Sequence, residues 1–145
     1  NWKDLDFIIV DMPPGTGDTQ LTFSQEIKMD GAIIVSTPQE VALLDVKRGI
    51  KMFDKLGVKI LGLVDNMSFF IGDDGKKYKI FGEGGVKKTA EEFGKDLLGQ
   101  IPINPEIGKQ GDGGTPIVES LPDHDISKIY LDLANKVKKT YFEDQ

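Results

Sequence analysis

The sequence predicts an α/β protein with a doubly wound, mostly parallel sheet, and three observations carry that prediction. Short continuous apolar runs recur at Phe7-Ile8-Ile9-Val10, Ala32-Ile33-Ile34-Val35-Ser36 and Lys59-Ile60-Leu61-Gly62-Leu63-Val64-Asp65, the pattern of strands buried on both faces. Stretches of helical character separate them. The resulting order strand, helix, strand, helix, strand is that of right-handed crossovers between parallel neighbours.

The first run stops at Asp11 and gives way to Met12-Pro13-Pro14-Gly15-Thr16-Gly17-Asp18, where prolines and glycines forbid regular structure. A helix is expected from about residue 19 to 28, with Asp18 as its N-cap. After the second run, Thr37 and Pro38 read as cap and first position of a helix whose Leu43, Val46, Ile50 and Phe53 recur at spacings of three and four until Gly57 stops it. The third run leads into residues 68–81, where Gly72-Asp73-Asp74-Gly75 between two aromatic-rich arms predicts a β-hairpin insertion. A short helix ending near Gly94 and a fourth strand, closed by Pro102, come next. Residues 104–115 read as a loop with one helical turn around 105–109. The last helix is expected to start near Asp123 or Asp125 and to bury Ile126, Ile129, Tyr130, Leu133 and Val137.

With 145 residues, the chain has the length of one domain, and residues 1–145 are read as part of a single one. Its opening, with neither Met nor a leader pattern, is expected of a fragment. No apolar run approaches the roughly 20 residues that span a bilayer, so no membrane partner is expected. A net charge of −6 with scattered Lys and Arg argues against nucleic acid. The chain has no Cys, which excludes disulfides, thiolate zinc sites and all-Cys iron–sulfur ligation from within it.

A carboxylate at the carboxyl end of a buried parallel strand sits where open sheets bind ligands, so Asp11 suits a Walker-B-type role, holding a water of a hydrated Mg²⁺. It equally suits a cap for the following turn. The glycines of the loop let backbone N–H groups approach an anion, and Asp18 either orients an attacking water or caps the helix. His124, flanked by Asp123 and Asp125, reads as a solvated cap region.

Four segments together closely resemble the Mrp/ApbC ATPases, P-loop proteins of the MinD/ParA and nitrogenase-iron-protein class. They are Asp11-Met12-Pro13-Pro14-Gly15-Thr16-Gly17-Asp18, Ser36-Thr37-Pro38-Gln39-Glu40-Val41-Ala42-Leu43-Leu44-Asp45, Asp65-Asn66-Met67-Ser68 and Ile80-Phe81-Gly82-Glu83-Gly84-Gly85. The resemblance runs in order from about residue 4 to about residue 122. It implies a MinD-like P-loop fold, present as a partial domain, and an ATP-binding and ATP-hydrolysing carrier or scaffold for iron–sulfur cluster assembly. By the same resemblance, the full-length protein is a cytoplasmic homodimer serving iron–sulfur apoproteins.

Carried onto this sequence, the resemblance makes Asp11 the magnesium-site aspartate and Gly15, Thr16, Gly17 and Asp18 the γ-phosphate loop. Asn66 becomes the adenine-reading asparagine after the third strand, and Pro102 and Ile103 line the base pocket. Two departures stand out. The Lys-bearing loop Gly-x-x-x-x-Gly-Lys-Ser/Thr does not occur in these residues, and Gly82-Glu83-Gly84-Gly85-Val86-Lys87-Lys88-Thr89 imitates its composition without its spacing. Many relatives carry Cys-x-x-Cys at the hairpin, whereas this chain has Gly72-Asp73-Asp74-Gly75-Lys76-Lys77, hard oxygen donors unsuited to a cluster. Iron–sulfur ligands are therefore expected to be none. Two other functions are consistent with the sequence. One is a MinD/ParA-like spatial-organisation ATPase, whose last helix would lie on lipid. The other is a non-catalytic interaction module docking through Phe69, Phe70 and Tyr78.

In the MinD-like fold that the resemblance implies, the phosphate-loop strand lies between the strands at 7–10 and 32–36. Those two strands are therefore expected either to pair directly or to leave open edges that make the chain sticky.

Overall fold

A computed structural model of the chain describes residues 3–13 and 17–143. Helix α1 (Asp18–Glu26) leads to strand β1 (Ala32–Ser36), helix α2 (Glu40–Leu56) and the long strand β2 (Ile60–Ile71). Strand β3 (Lys77–Tyr78), helix α3 (Gly85–Glu92) and strand β4 (Leu97–Ile103) follow, then helices α4 (Pro105–Asp112), α5 (Ile117–Ser120) and α6 (Asp125–Glu143). Strand β2 pairs in parallel with both β1 and β4, and its far end pairs antiparallel with β3 through Phe70 and Tyr78.

Alternation along β2 builds the layers. Side chains of adjacent strand residues point to opposite faces, so Leu63 and Val64, both buried, enter different cores. Leu63 joins Leu43, Val46 and Ile50 of α2 and Val86 and Ala90 of α3. Val64 joins Leu98 and Ile101, packed against Ile129, Tyr130, Leu133 and Val137 of α6. Helices thus cover both faces of a mostly parallel sheet, the doubly wound architecture that the apolar runs predict. The apolar stripe of α2 ends where expected, with Gly57 left-handed at φ 70° and its N–H returning to the carbonyls of Phe53 and Asp54.

Several expectations are corrected. Residues 7–10 form no strand; Ile8 and Ile9 are 61% and 93% exposed. A continuous apolar run becomes a buried strand only where neighbouring strands supply its ladder and layers cover its faces, and the sheet of the described residues extends no further than β1 on that side. The run does not pair with β1, so of the two expected outcomes the structure has the open edge.

Asp18 is not the N-cap of α1. Gly17 holds that position, and Asp18 is the acidic residue of the first turn. Helix α2 begins at Glu40 with Gln39 as its cap, two residues beyond Pro38. The hairpin is shorter than its sequence span, because β2 runs on through Ile71 and only Lys77 and Tyr78 return. Pro102 does not close β4 but lies buried within it.

The stretch read as a loop is helical from Pro105 to Asp112. The Asn104 side chain accepts from the Glu106 N–H at 2.8 Å, with proline in the first turn, a combination that fixes the helix start despite Gly108 and Gly111. Helix α6 starts at Asp125 as expected, and Nδ1 of His124 accepts from the Ile126 N–H at 3.2 Å, an ordinary cap contact.

Candidate functional site at the carboxyl ends of the strands

Parallel strands present their ligands at their carboxyl ends, here Ser36 on β1, the segment 65–68 on β2 and Ile103 on β4. Asn66 is half-buried and lies inside β2 rather than after it, a correction to its expected place. Its partner in register is Ile101, so Asn66 stands beside the strand segment that carries Pro102 and Ile103. Pro102 and Ile103 follow Ile101 along β4, and Ile103 is itself in register with Phe70.

Just beyond Asn66 the regular ladder breaks. Met67 has φ 55°, unusual for a residue with a side chain, and the next register pair is Phe70 with Ile103. The break is fastened on both sides. Before it, Gln100 Nε2 donates to Oδ2 of Asp65 at 3.0 Å; after it, the buried Ser68 Oγ donates to the Ile101 carbonyl at 3.1 Å. Asp65 is 1% exposed, and its Oδ1 is buried without a hydrogen-bond partner. Burial raises its pKa above the ordinary carboxylate range, and the Gln100 donor offsets part of that rise. No sequence pattern marks Asp65 and Gln100 as partners. The legible signal was a carboxylate closing an apolar strand run, and it resembled an ordinary strand end.

The other expected site residues do not gather at this point. Asp11 is exposed on an irregular segment, so no strand delivers it to the sheet's end. Gly15 and Thr16 lie outside the described residues. Gly17 and Asp18 start α1, and Gln20 of that helix donates to the Pro13 carbonyl at 3.0 Å, tying the loop to the helix. Gly17 gives the first-turn amides no side-chain acceptor, which leaves that end of α1 suited to an anion. Among the described residues no three metal-binding side chains converge.

Gly85, the first residue of α3, has a packing role. A Cβ on Gly85 would lie 2.7 Å from the Pro38 carbonyl oxygen and 2.7 Å from Leu43 Cδ1. The glycine at position 85 is thus accounted for by packing, without any ligand. At the hairpin, Asp74 accepts from the Tyr78 hydroxyl at 2.9 Å and the Lys76 N–H at 3.0 Å, and Lys77 Nζ lies 4.5 Å from the Phe69 ring centre. These are the contacts of a turn closed by its own side chains. Among the described residues no helix is long and apolar enough to cross a membrane.

The model of the ParA family, described as NUBPL iron-transfer P-loop NTPase, matches residues 1–138. An Arabidopsis thaliana relative, the iron-sulfur protein required for NADH dehydrogenase, mitochondrial, is 51% identical over 140 residues, covering 96% of this chain and 45% of the relative. A nucleotide-binding protein from Archaeoglobus fulgidus, solved in complex with ADP, superposes with a TM-score of 0.68 at 38% identity, covering 77% of this chain and 46% of that one. The cell division ATPase MinD of Pyrococcus furiosus superposes with a TM-score of 0.71 over 95% of this chain and 54% of that one, and at 24% identity it shows the fold alone. The chain spans between 37% and 50% of the length of the curated relatives it matches. The segments that carry the resemblance, the two-faced parallel sheet and the family match over residues 1–138 agree: the chain belongs to the ParA family of NUBPL iron-transfer P-loop NTPases.

Proposed function

We propose that residues 1–145 are part of one ATPase domain of an iron–sulfur cluster carrier or scaffold, and that they supply the base-reading half of its ATP site. The observation that carries this reading is Asn66 seated next to the strand segment of Pro102 and Ile103 at the ligand-binding end of the sheet. The name "Iron-sulfur cluster carrier protein" of the Aquifex aeolicus relative, 46% identical, supports the role in cluster assembly.

The residues present fit a nucleotide in part. An asparagine side chain offers both an acceptor and a donor to the edge of adenine, and the half-buried Ile103 offers apolar contact to its face, with the buried Pro102 beside it on β4. The uncapped start of α1, with Gly15, Thr16 and Gly17 before it, suits phosphate. Asp11 is an accessible carboxylate, and a single one suffices for Mg²⁺, which keeps most of its waters. Asp18 is close enough in sequence to that loop to orient an attacking water. When bound, Mg-ATP supplies a transferable phosphoryl group whose hydrolysis switches the protein between states.

The cluster is cargo in this scheme. With no Cys in 145 residues, the chain contributes no thiolate to it. A homodimer, iron–sulfur apoproteins as clients and a cytoplasmic setting complete the proposal. The MinD-like alternative, lipid binding through the last helix, is disfavoured because the apolar stripe of α6 packs on the sheet and Lys136 Nζ donates to the Leu98 carbonyl at 2.6 Å.

The test uses the chain extended at its N-terminus by a family phosphate-loop segment. Asn66→Ala should weaken ATP binding while leaving inorganic triphosphate binding unchanged, and Asp11→Ala should abolish Mg-dependent turnover. ATP binding indifferent to Asn66→Ala would remove the base-reading assignment.

A further inference from the structure

The proposed base-reading asparagine immediately precedes strained backbone at Met67, and something must hold it in register. Asn66 immediately precedes Met67, whose φ of 55° marks the place where β2 and β4 leave regular pairing. Such outliers persist only where their surroundings over-determine them. Here the residue just before Asn66 is a carboxylate that is almost wholly buried and only half satisfied, with Oδ2 on Gln100 and Oδ1 on nothing. A buried orphan acceptor is destabilising, and an apolar side chain would serve the core better at that position. The fold carries this cost at the one point where β2 meets the start of the segment Ile101-Pro102-Ile103.

We propose that Asp65 and Gln100 form a positioning pair that sets Asn66 against Pro102 and Ile103 and so determines adenine selectivity. The proposal rests on the reading of Asn66 as the base reader. The geometry is specific: Asp65 and Gln100 are register partners on neighbouring strands, one residue before Asn66 and one before Ile101. Their side-chain hydrogen bond fixes how far β4 can slide along β2, which the ladder alone leaves loose across the bulge. Ser68, bonded to the Ile101 carbonyl, fastens the other side, so Asn66 and Met67 span a short strained bridge between two anchors. Neither Asp65 nor Gln100 needs to touch the nucleotide.

The test compares binding of ATP with binding of purine riboside triphosphate, which lacks only the exocyclic amine, to the same extended protein. The wild type should prefer ATP, because a site built to pair with a polar edge rejects the analogue that lacks it. Gln100→Ala should lower ATP affinity roughly tenfold and leave the analogue unchanged, so that the preference collapses, as expected when a supporting hydrogen bond to a binding residue is removed. Gln100 is exposed, so the variant should fold; Gln100→Met, which keeps the bulk but donates nothing, should behave alike. Asp65→Asn retains an acceptor for Gln100 and should keep the preference within about twofold of the wild type.

A purely structural bond would lower the melting temperature and leave the ratio of the two affinities intact, and that result overturns the proposal. A wild type that binds ATP but does not distinguish the analogue overturns the reading of Asn66 together with the inference built on it.

Discussion

Gln100 holds one oxygen of the Asp65 carboxylate at 3.0 Å while the other oxygen is buried with no partner. Burial raises this pKa, so the unfolded chain ionises at lower pH than the folded one. Stability is therefore lost as pH rises from the ordinary Asp value through the folded one, and is regained as pH falls across the same window. Asp65→Asn should melt above the wild type at pH 7, with the difference shrinking to nothing below the ordinary Asp pKa. Equal melting temperatures at pH 7 would show that the charge carries no burial cost.

Ile50 is fully buried between α2 and the sheet, whereas Ile9 is 93% exposed. Ile50→Ala should cost about 2–5 kcal/mol in urea unfolding. Ile9→Ser should stay within about 0.5 kcal/mol, the range of surface changes. A large loss from Ile9→Ser would mean that residues 7–10 are part of the packed sheet after all.

Two glycines with positive φ separate backbone strain from steric clash. At Gly57, φ 70°, nothing lies near an added Cβ, so Gly57→Ala should cost about 1–2 kcal/mol from conformation alone. At Gly62, φ 153°, the added Cβ would meet the Asp96 carbonyl oxygen at 2.8 Å and Leu98 Cγ at 2.6 Å. Gly62→Ala should be the more damaging of the two by equilibrium unfolding, and the reverse order would contradict the strand packing described.

Strand β1 pairs with β2, and no strand covers its other edge among the described residues. Ile33 and Val35, 38% and 59% exposed, add an apolar surface beside that edge. The 145-residue chain should therefore associate as concentration rises, and Val35→Lys should reduce that association in light scattering. A monomer at high concentration in both proteins would remove the edge as a liability.

The sequence was legible where a pattern depends on a single element. The stripe of α2 and its Gly57 stop needed only helical periodicity, and β1, the parallel part of β2 and β4 needed only apolar runs between turn residues. Residues 7–10 misled because an apolar run states what a segment can bury and says nothing of whether a neighbour is present to pair with it. Helix α4 was hidden by its two glycines, though Asn104-Pro105 announced its start. At the site, Asn66, Pro102 and Ile103 come from family resemblance, and the register places Asn66 opposite Ile101, the residue before Pro102. The role of Asp65 is not legible in the sequence because it depends on Gln100, 35 residues away, which no local pattern connects.

The most direct test of the central claim is calorimetry of Mg-ATP with the 145-residue chain and with the version extended by a phosphate-loop segment. The account predicts binding by the extended protein alone, since the proposed base-reading residues lie in these 145 residues and the Lys-bearing loop does not. Binding by neither protein, or equally tight binding by both, would contradict a nucleotide site divided in this way.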